Sequence, residues 1–215
     1  LRFFDTFAQA AFDSSFNLSS PPAQPQVDVA TDHGKVILSW DAASRNNYSQ
    51  PGYAFEGYNV YQGASVSGPW TLLATYDEIT PPAVVFDEVF DIETGQIIPQ
   101  FPVAFGSNLG VRFTHTITQD AVRGGNLKDG TDYFFAVTSY SFNAAGKPKV
   151  LENPQAVQRV IPQRGAAGTD YGTATATPVT YLEKDTSKPP ATDVVTVEVV
   201  DPNLITGHTY KVTFE

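Results

Sequence analysis

A short stretch that begins at Tyr133 constrains the fold of this chain more than any other. Tyr133, Phe135 and Val137 fall on one face of an extended backbone, and Phe134 and Ala136 fall on the other. This two-residue period is that of a β-strand. Since both faces carry apolar residues, we predict a strand in the interior of a protein built from packed strands.

The residues before this strand predict how the chain enters it. Leu127 is followed by the turn residues Lys128, Asp129 and Gly130, and then by Tyr133. A leucine, a tight turn and a tyrosine at this spacing are typical of a tyrosine corner, in which the phenol hydroxyl bonds to upstream backbone. We therefore expect Tyr133 to bond to the turn that precedes it.

Further strands are predicted on both sides of Tyr133. The stretch Lys35–Trp40 is the strongest, because Val36, Leu38 and Trp40 share a face and the indole is large enough to fill the centre of a core. A polar loop is expected from Asp41 to Ala54. The other predicted strands are Gln26–Ala30, Phe55–Tyr61, Trp70–Tyr76, Val111–Ile117 and Pro154–Ile161.

The composition supports an all-β fold and excludes several functions. The 215 residues include 16 glycines and 16 prolines, which favour frequent turns. The formal net charge of −10 argues against binding to nucleic acid or to anionic membrane surfaces. The sequence has no cysteine, which excludes disulfides, thiol catalysis and cysteine-bound zinc. It has no run of about 18 apolar residues, so we expect no membrane insertion.

Three motifs occur in the order seen in a known domain family. Val36, Leu38 and Trp40 are followed by the stretch 57–61, which reads Gly-Tyr-Asn-Val-Tyr, and then by the tyrosine-corner stretch 127–137. Over residues 22–162 the chain resembles a fibronectin type III domain. The resemblance implies an immunoglobulin-like β-sandwich and brings no catalytic residue with it.

A second resemblance concerns the setting of the domain. Residues 55–61 and 201–210 are similar to segments of large exported or surface proteins of Bacteroidetes-like Gram-negative bacteria. This similarity implies an extracellular or cell-surface location in a bacterium. The chain departs from the fibronectin pattern over an insert, residues 77–120, whose apolar runs predict a hairpin-like flap packed on the sandwich.

Residues 1–21 are predicted to form an aromatic arm and a stiff linker. The serines and prolines from Ser19 onward favour an extended chain. The arm is too short to be a stable helix alone, and its aromatic side chains need cover, either from their own domain or from a neighbouring subunit. The candidate partner-binding residues are Phe3, Phe4, Phe7, Phe12 and Phe16.

The C-terminal part is predicted to contain a linker, residues 163–192, and a β-hairpin, residues 193–215. The hairpin strands are Val194–Val200 and Thr209–Phe214. A lone two-stranded hairpin is marginal in water. This extra β segment is therefore expected to belong to a second β unit or to donate a strand to a partner.

Candidate chemistry is sparse. His33, His115 and His208 are scattered and match no zinc pattern, and His115 is expected to be a half-buried strand residue. No G-x-S-x-G elbow is present, which argues against a hydrolase triad. Six acidic residues lie in or beside the insert, namely Asp77, Glu78, Asp87, Glu88, Asp91 and Glu93.

This acidic group has three interpretations. It is a solvated acidic loop, a calcium site in which Asp87, Glu88 and Asp91 supply oxygen ligands, or a carboxylate pair for glycoside hydrolysis. No EF-hand spacing or repeat motif supports either the second or the third interpretation. Calcium is accordingly the one cofactor that the sequence leaves open.

The sequence predicts a non-enzymatic protein of structural type. The main expectation is an extracellular structural or adhesion module that associates with itself, as a subunit of a surface filament built by strand or arm exchange. The alternative is a non-catalytic accessory module of a secreted enzyme that binds glycans. Its candidate aromatic residues are Tyr48, Tyr53, Trp70 and Tyr76.

Overall fold

The computed structural model describes residues 2–13, 15–16, 18–164 and 208. Two helices are present in these residues, α1 (Arg2–Asp13) and the short α2 (Ala43–Asn46). All remaining regular structure is β. The strands are β1 (Val27–Asp32), β2 (Lys35–Trp40), β3 (Ala54–Gly63), β4 (Trp70–Asp77), β5 (Val84–Asp91), β6 (Gln96–Phe105), β7 (Thr114–Ile117), β8 (Tyr133–Phe142), β9 (Val150–Glu152) and β10 (Gln158–Val160).

Two antiparallel sheets pack face to face as a β-sandwich. One has the strand order β1-β2-β7, and the other has the order β10-β8-β3-β4 with β9 also paired to β8. Their inner faces share one apolar core, which is the layered arrangement expected of an all-β protein. The buried core members are Val36, Leu38, Trp40, Tyr58, Val60, Ile117, Leu127, Tyr133, Phe135, Val137 and Val160.

The core follows directly from the alternation in the sequence. Val36, Leu38 and Trp40 of β2 all point inward, and Trp40 packs against Tyr58 at a ring separation of 5.7 Å. Tyr133 and Phe135 of β8 stack in the same core at 6.2 Å. The strand predictions for these stretches are confirmed.

The predicted bond of Tyr133 to its preceding turn is present. The backbone N–H of Lys128 donates to the phenol oxygen of Tyr133 at 2.9 Å. Leu127 is buried, and its N–H bonds to the carbonyl of Thr118. The turn is thereby fixed from both of its ends.

Strand β8 is buried on its outer face as well as its inner face. Ala136 and Thr138 are completely buried, and Tyr140 is 1% exposed. A polar group of side chains lies on this outer face. Oε1 of Glu152 accepts hydrogen bonds from Tyr61 at 2.8 Å, from the Asn59 amide at 3.2 Å and from the Thr138 hydroxyl. These bonds tie β3, β8 and β9 together away from the apolar core.

Several boundary predictions were wrong. The first strand runs to Asp32, because the β1–β2 turn needs only His33 and Gly34. The last predicted strand, Pro154–Ile161, forms only at Gln158–Val160. The stretch Val150–Glu152, for which no strand was predicted, also pairs with β8. A single turn of helix, α2, interrupts the loop expected from Asp41 to Ala54.

The arm is also more ordered than predicted. It forms the helix Arg2–Asp13, in which the Gln9 side chain donates to Asp13 one turn later at 2.7 Å. A short helix gains stability from packing that its helix propensity alone does not provide. Here Phe4 packs against Phe90 of β5. The predicted linker 163–192 and hairpin 193–215 lie outside the described residues, apart from 163–164 and His208.

Candidate functional site: the projecting hairpin and the aromatic helix

The insert contains an antiparallel hairpin formed by β5 and β6. Val85 pairs with Ala104 at its base, and Phe90 pairs with Ile97 near its tip. At the base, Val85 and Ala104 are buried with Tyr140 in a second apolar cluster on the outer face of the sandwich. Toward the tip, residues 96–101 of β6 are all exposed. The hairpin is therefore anchored at one end and projects at the other.

A buried carboxylate fixes the chain where it leaves the hairpin. Oδ1 of Asp77, at the end of β4, accepts the N–H of Ser107 at 2.8 Å, its hydroxyl at 2.7 Å and the N–H of Asn108 at 2.9 Å. Asp77 is 1% exposed. A Cβ added at Gly106 would overlap Oδ2 of Asp77, so this close approach requires glycine.

A second contact fixes the entering strand. The backbone N–H of Lys149 donates to Oδ2 of Asp87 at 2.7 Å, and its ammonium group donates to the Phe86 carbonyl at 2.8 Å. Lys149 lies in the loop between β8 and β9, and its carbonyl accepts from Asn143. Nothing in the local sequence pairs Lys149 with Asp87, and sequence reasoning missed this contact.

The aromatic helix reaches the same hairpin. The rings of Phe4 in α1 and Phe90 in β5 meet edge to face with centroids 5.1 Å apart. The linker that follows α1 is bonded to the sandwich, since Asn153 donates to the Pro22 carbonyl at 3.2 Å and Gln24 donates to the Val137 carbonyl at 2.9 Å. The N-terminal segment is thus attached to the domain at the linker and touches the insert through Phe4.

Helix α1 and the hairpin together leave many apolar side chains exposed. On the helical side, Phe4, Phe12 and Phe16 are 57%, 67% and 72% exposed. On the hairpin the exposed residues are Phe86, Ile92, Ile97, Ile98, Phe101 and Phe105. We call this set, with α1, the aromatic surface. Exposed apolar side chains in this number make the aromatic surface a candidate for binding.

The five candidate phenylalanines of the arm have different positions. Phe4 contacts the hairpin, while Phe12 and Phe16 contact each other with ring centroids 6.4 Å apart. Phe3 and Phe7 belong to α1, but their side chains lie outside the described residues. The structure therefore brings one of these side chains to the insert and two to each other.

The three calcium candidates do not converge on one point. Asp87 accepts backbone N–H groups from Glu88 and Lys149, and Asp91 accepts from Glu93 and Thr94. These hydrogen bonds, chiefly that of the Thr94 hydroxyl, hold the pKa of Asp91 below its usual value. Among the described residues there is no group of three acidic or histidine side chains able to hold a metal ion.

Two of the three histidines, His33 and His115, make contacts within the domain. His33 Nδ1 lies 2.6 Å from Oδ2 of Asp129, and this hydrogen bond lowers the pKa of the Asp129 carboxyl. His115 is half-buried in β7, as predicted, and its Nδ1 lies 2.6 Å from the hydroxyl of Tyr76. Burial lowers the pKa of His115. His208 is exposed.

The aromatic residues proposed for glycan binding are dispersed. Tyr76 packs between Trp40 and His115, and the Trp70 ring lies close against Gly63 and Gly68. Tyr48 and Tyr53 are near one another, but their hydroxyls bond to the carbonyls of Ser20 and Pro148. Tyr48 lines a surface depression of about 330 Å³ together with Ser20, Pro21, Ser44, Asn47 and Gln50.

These observations define the class of the protein as an antiparallel all-β sandwich with a projecting hairpin. Neither helix in the described part of the chain combines the length and the apolar composition needed to span a bilayer. No family model matches the chain, and comparison with curated proteins likewise gives no match.

Proposed function

We propose that the chain is an extracellular structural or adhesion module, built on a fibronectin type III-like sandwich, that associates with further copies of itself by exchanging α1. Two features support the fibronectin-like fold. A three-stranded sheet faces a sheet ordered β10-β8-β3-β4, and Tyr133 accepts a bond from the turn before it. The proposal assigns no chemical reaction to the chain.

The observation that carries the proposal is the contact between Phe4 and Phe90. It joins α1 to a projecting hairpin, and the connecting segment 18–25 contains three prolines and is bonded to the sandwich at Pro22 and Gln24. In an exchanged pair, the same contact forms between the helix of one copy and the hairpin of another. Exchange of an identical element between copies is an economical route to dimers and, when the rotation does not close, to filaments.

The test is the molar mass of the full chain in solution, measured by light scattering over a range of concentrations. We expect mass to rise with concentration for the full chain and for Leu109→Ala, a control that removes a side chain 74% exposed in the segment after β6. Deletion of residues 1–18 and Phe90→Ala should each abolish the rise.

A mixing experiment distinguishes exchange of α1 from nonspecific association. The truncated chain retains an intact hairpin, and the Phe90→Ala chain retains an intact arm. Mixed together, they should form a one-to-one complex that neither forms alone. Assembly of the truncated chain to the same extent as the full chain would show that α1 is not the connector.

A further inference from the structure

A surface depression lies between the linker and the residues of α2 and the loop after it. Its volume is about 330 Å³, at the lower end of the range of about 300–1,000 Å³ that small-ligand sites occupy. The linker contributes Ser20, Pro21 and Ala23 to one wall, and residues of the stretch 43–50 form the other wall. Among the described residues, none of α1 or of the hairpin lines it. The depression is therefore separate from the aromatic surface.

Hydrogen bonds hold the two walls of the depression in place. The Tyr48 hydroxyl donates to the Ser20 carbonyl at 2.9 Å, and Nε2 of Gln50 donates to the Ser20 hydroxyl at 3.2 Å. On the linker side, the Ala23 carbonyl accepts the hydroxyl of Ser139 in β8 at 2.9 Å. The depression is therefore formed before any ligand arrives, and binding does not have to order its walls.

The depression carries no charge, although the chain is strongly acidic. The formal net charge is −10, yet none of the described residues that line the depression is acidic, basic or a histidine. The neighbouring Arg45 does not line it, and its Nε is paired with Glu78 at 2.6 Å. A charged ligand would lose hydration on entry and would meet no opposite charge. The ligand class that fits is therefore uncharged.

Several polar groups in the walls are free to bind a ligand. The side chains of Asn47 and Ser49 are exposed and form no hydrogen bond within the described part of the chain. Gln50 donates through its Nε2, so its amide oxygen is available. Amide and hydroxyl side chains together offer both donors and acceptors. The walls therefore suit a ligand that carries hydroxyl groups, which also donate and accept.

The hydroxyl of Ser44 is a further sign of a ligand. Ser44 lines the depression from α2 and is 1% exposed. Its oxygen lies outside hydrogen-bond geometry of every group among the described residues, the nearby Tyr58 hydroxyl included. A buried hydroxyl without a partner is unfavourable. A ligand hydroxyl that hydrogen-bonds to Ser44 therefore stabilises the complex.

Tyr48 supplies the apolar surface of the site. Its hydroxyl lies 2.9 Å from the Ser141 hydroxyl as well as 2.9 Å from the Ser20 carbonyl, so the half-buried ring is held in one position. Pro21 and Ala43 add apolar surface beside it. A fixed aromatic ring next to amide and hydroxyl groups suits a ligand that has both C–H faces and hydroxyl groups. This combination is the chemistry of a neutral sugar.

We propose that this depression binds a neutral sugar, either free or at the end of a glycan. The Tyr48 ring packs against a C–H face of the sugar, while Asn47, Ser49 and Gln50 form hydrogen bonds with its hydroxyl groups. The proposal gives the adhesion module a ligand and does not depend on the exchange of α1.

The test measures binding of the methyl glycosides of glucose, galactose and mannose to the full chain by saturation-transfer NMR and titration. At least one should bind, with a millimolar dissociation constant. Asn47→Ala should weaken that binding about fivefold, since one hydrogen bond to the ligand is lost. Asn46→Ala is the matched control, because Asn46 is the adjacent exposed asparagine and does not line the depression. Its affinity should stay within about twofold of the wild-type value.

A second variant blocks the depression without removing a polar group. Ala43 is exposed and lines it, so Ala43→Trp places an indole in the space that the sugar needs and should abolish binding. Absence of binding by all three glycosides would overturn the proposal. So would equal affinities of Asn47→Ala and Asn46→Ala, because the sugar would then bind elsewhere. Tighter binding of a uronic acid than of the matching neutral hexose would overturn the uncharged ligand class.

These outcomes are distinguishable from failure of α1 exchange. Deletion of residues 1–18 retains every described residue that lines the depression, so the truncated chain should bind the sugar as the full chain does. Asn47→Ala should in turn leave the molar mass of the full chain unchanged at each concentration. If truncation removes sugar binding, the depression alone is not the receptor and the proposal is overturned.

Discussion

The backbone N–H of Lys128 and the phenol oxygen of Tyr133 are 2.9 Å apart, and this bond closes the turn that leads into the central strand. Tyr133 is 2% exposed, and the guanidinium of Arg123 lies over its ring at 5.6 Å. Its ring therefore fills the core while its hydroxyl satisfies a main-chain donor. One side chain thereby couples the turn to the sandwich interior.

Replacing Tyr133 with phenylalanine should separate these two roles. The ring remains, but the Lys128 N–H loses its acceptor, and an unsatisfied donor of this kind costs about 1–3 kcal/mol. We expect the free energy of unfolding, measured in urea, to fall by that amount. Tyr53→Phe, which removes a more exposed bond to the Pro148 carbonyl, should cost less. Equal effects of the two variants would contradict the special role of the turn.

Replacing Asp77 should weaken the attachment of the insert to the end of β4. Asp77→Ala leaves the N–H groups of Ser107 and Asn108 without their acceptor and removes a buried carboxylate that receives three hydrogen bonds. We expect a loss of about 2–4 kcal/mol in unfolding free energy. Hydrogen exchange should accelerate most at residues 106–108.

Gly106→Ala offers an independent check of the same contact. An added methyl group would overlap Oδ2 of Asp77 and would lie 3.0 Å from the Ala83 carbonyl oxygen. It should therefore disturb the same residues without removing the carboxylate. Asp28→Ala, at an exposed position of β1, serves as control. Exchange rates at 106–108 that match those of the wild-type chain in both Asp77→Ala and Gly106→Ala would show that Asp77 does not hold the insert.

Local patterns predicted the sandwich well because its strands follow from alternation and burial. The apolar face of β2 and the corner at Tyr133 could be inferred from neighbouring residues alone. The hairpin of the insert was also foreseen, since two apolar runs flank the turn Glu93-Thr94-Gly95. Each of these features is determined by residues that are close together in the sequence.

The contacts that define the candidate site are long-range, and this is why sequence reasoning missed them. Lys149 and Asp87 are 62 residues apart, and Asp77 and Ser107 are 30 apart. No local periodicity encodes such pairs. Helix α1 was underestimated for a related reason, because the contact of Phe4 with Phe90 comes from a distant strand. The helix propensity of a short segment gives no information about such a distant contact.

His115 should make stability depend on pH in the weakly acidic range. Burial lowers the pKa of folded His115 below the ordinary value of 6.5. Its Nδ1 forms a hydrogen bond with the Tyr76 hydroxyl, and the Arg112 guanidinium lies over the Tyr76 ring. The unfolded chain therefore takes up a proton first as pH falls. Stability from this group is present above about pH 6.5 and declines as pH falls toward the folded pKa.

The measurement is the difference in unfolding free energy between the wild-type chain and His115→Gln at several pH values. Glutamine does not titrate, so the difference isolates the histidine from the carboxylates of the chain. We expect the advantage of the wild-type chain to shrink from neutral pH to pH values near 5. An advantage that stays constant, or that grows on acidification, would show that His115 is not held neutral by burial.

Asp120 should also make stability fall as pH falls, but in the strongly acidic range. Burial works against its charged form, yet hydrogen bonds from the Arg123 N–H, the Gln62 amide and the Val122 N–H outweigh it and hold the pKa of Asp120 below the ordinary value of 3.8. The carboxylate therefore stabilises the folded chain above that value. The stabilisation is lost as pH falls through the folded pKa.

Asp120→Asn should accordingly cost about 1–3 kcal/mol near neutral pH. The substitution removes the charge from the acceptor of three hydrogen bonds and replaces Oδ2, which faces the Arg123 guanidinium, with an amide NH2. The cost should diminish as pH falls below about 4, because the wild-type carboxyl then becomes neutral as well. Gln62→Ala in both backgrounds completes a double-mutant cycle, and Gln62 is 1% exposed. A coupling energy near zero at neutral pH would mean that Gln62 and Asp120 stabilise the fold independently, and the 2.8 Å contact between them would then contribute little to the free energy of unfolding.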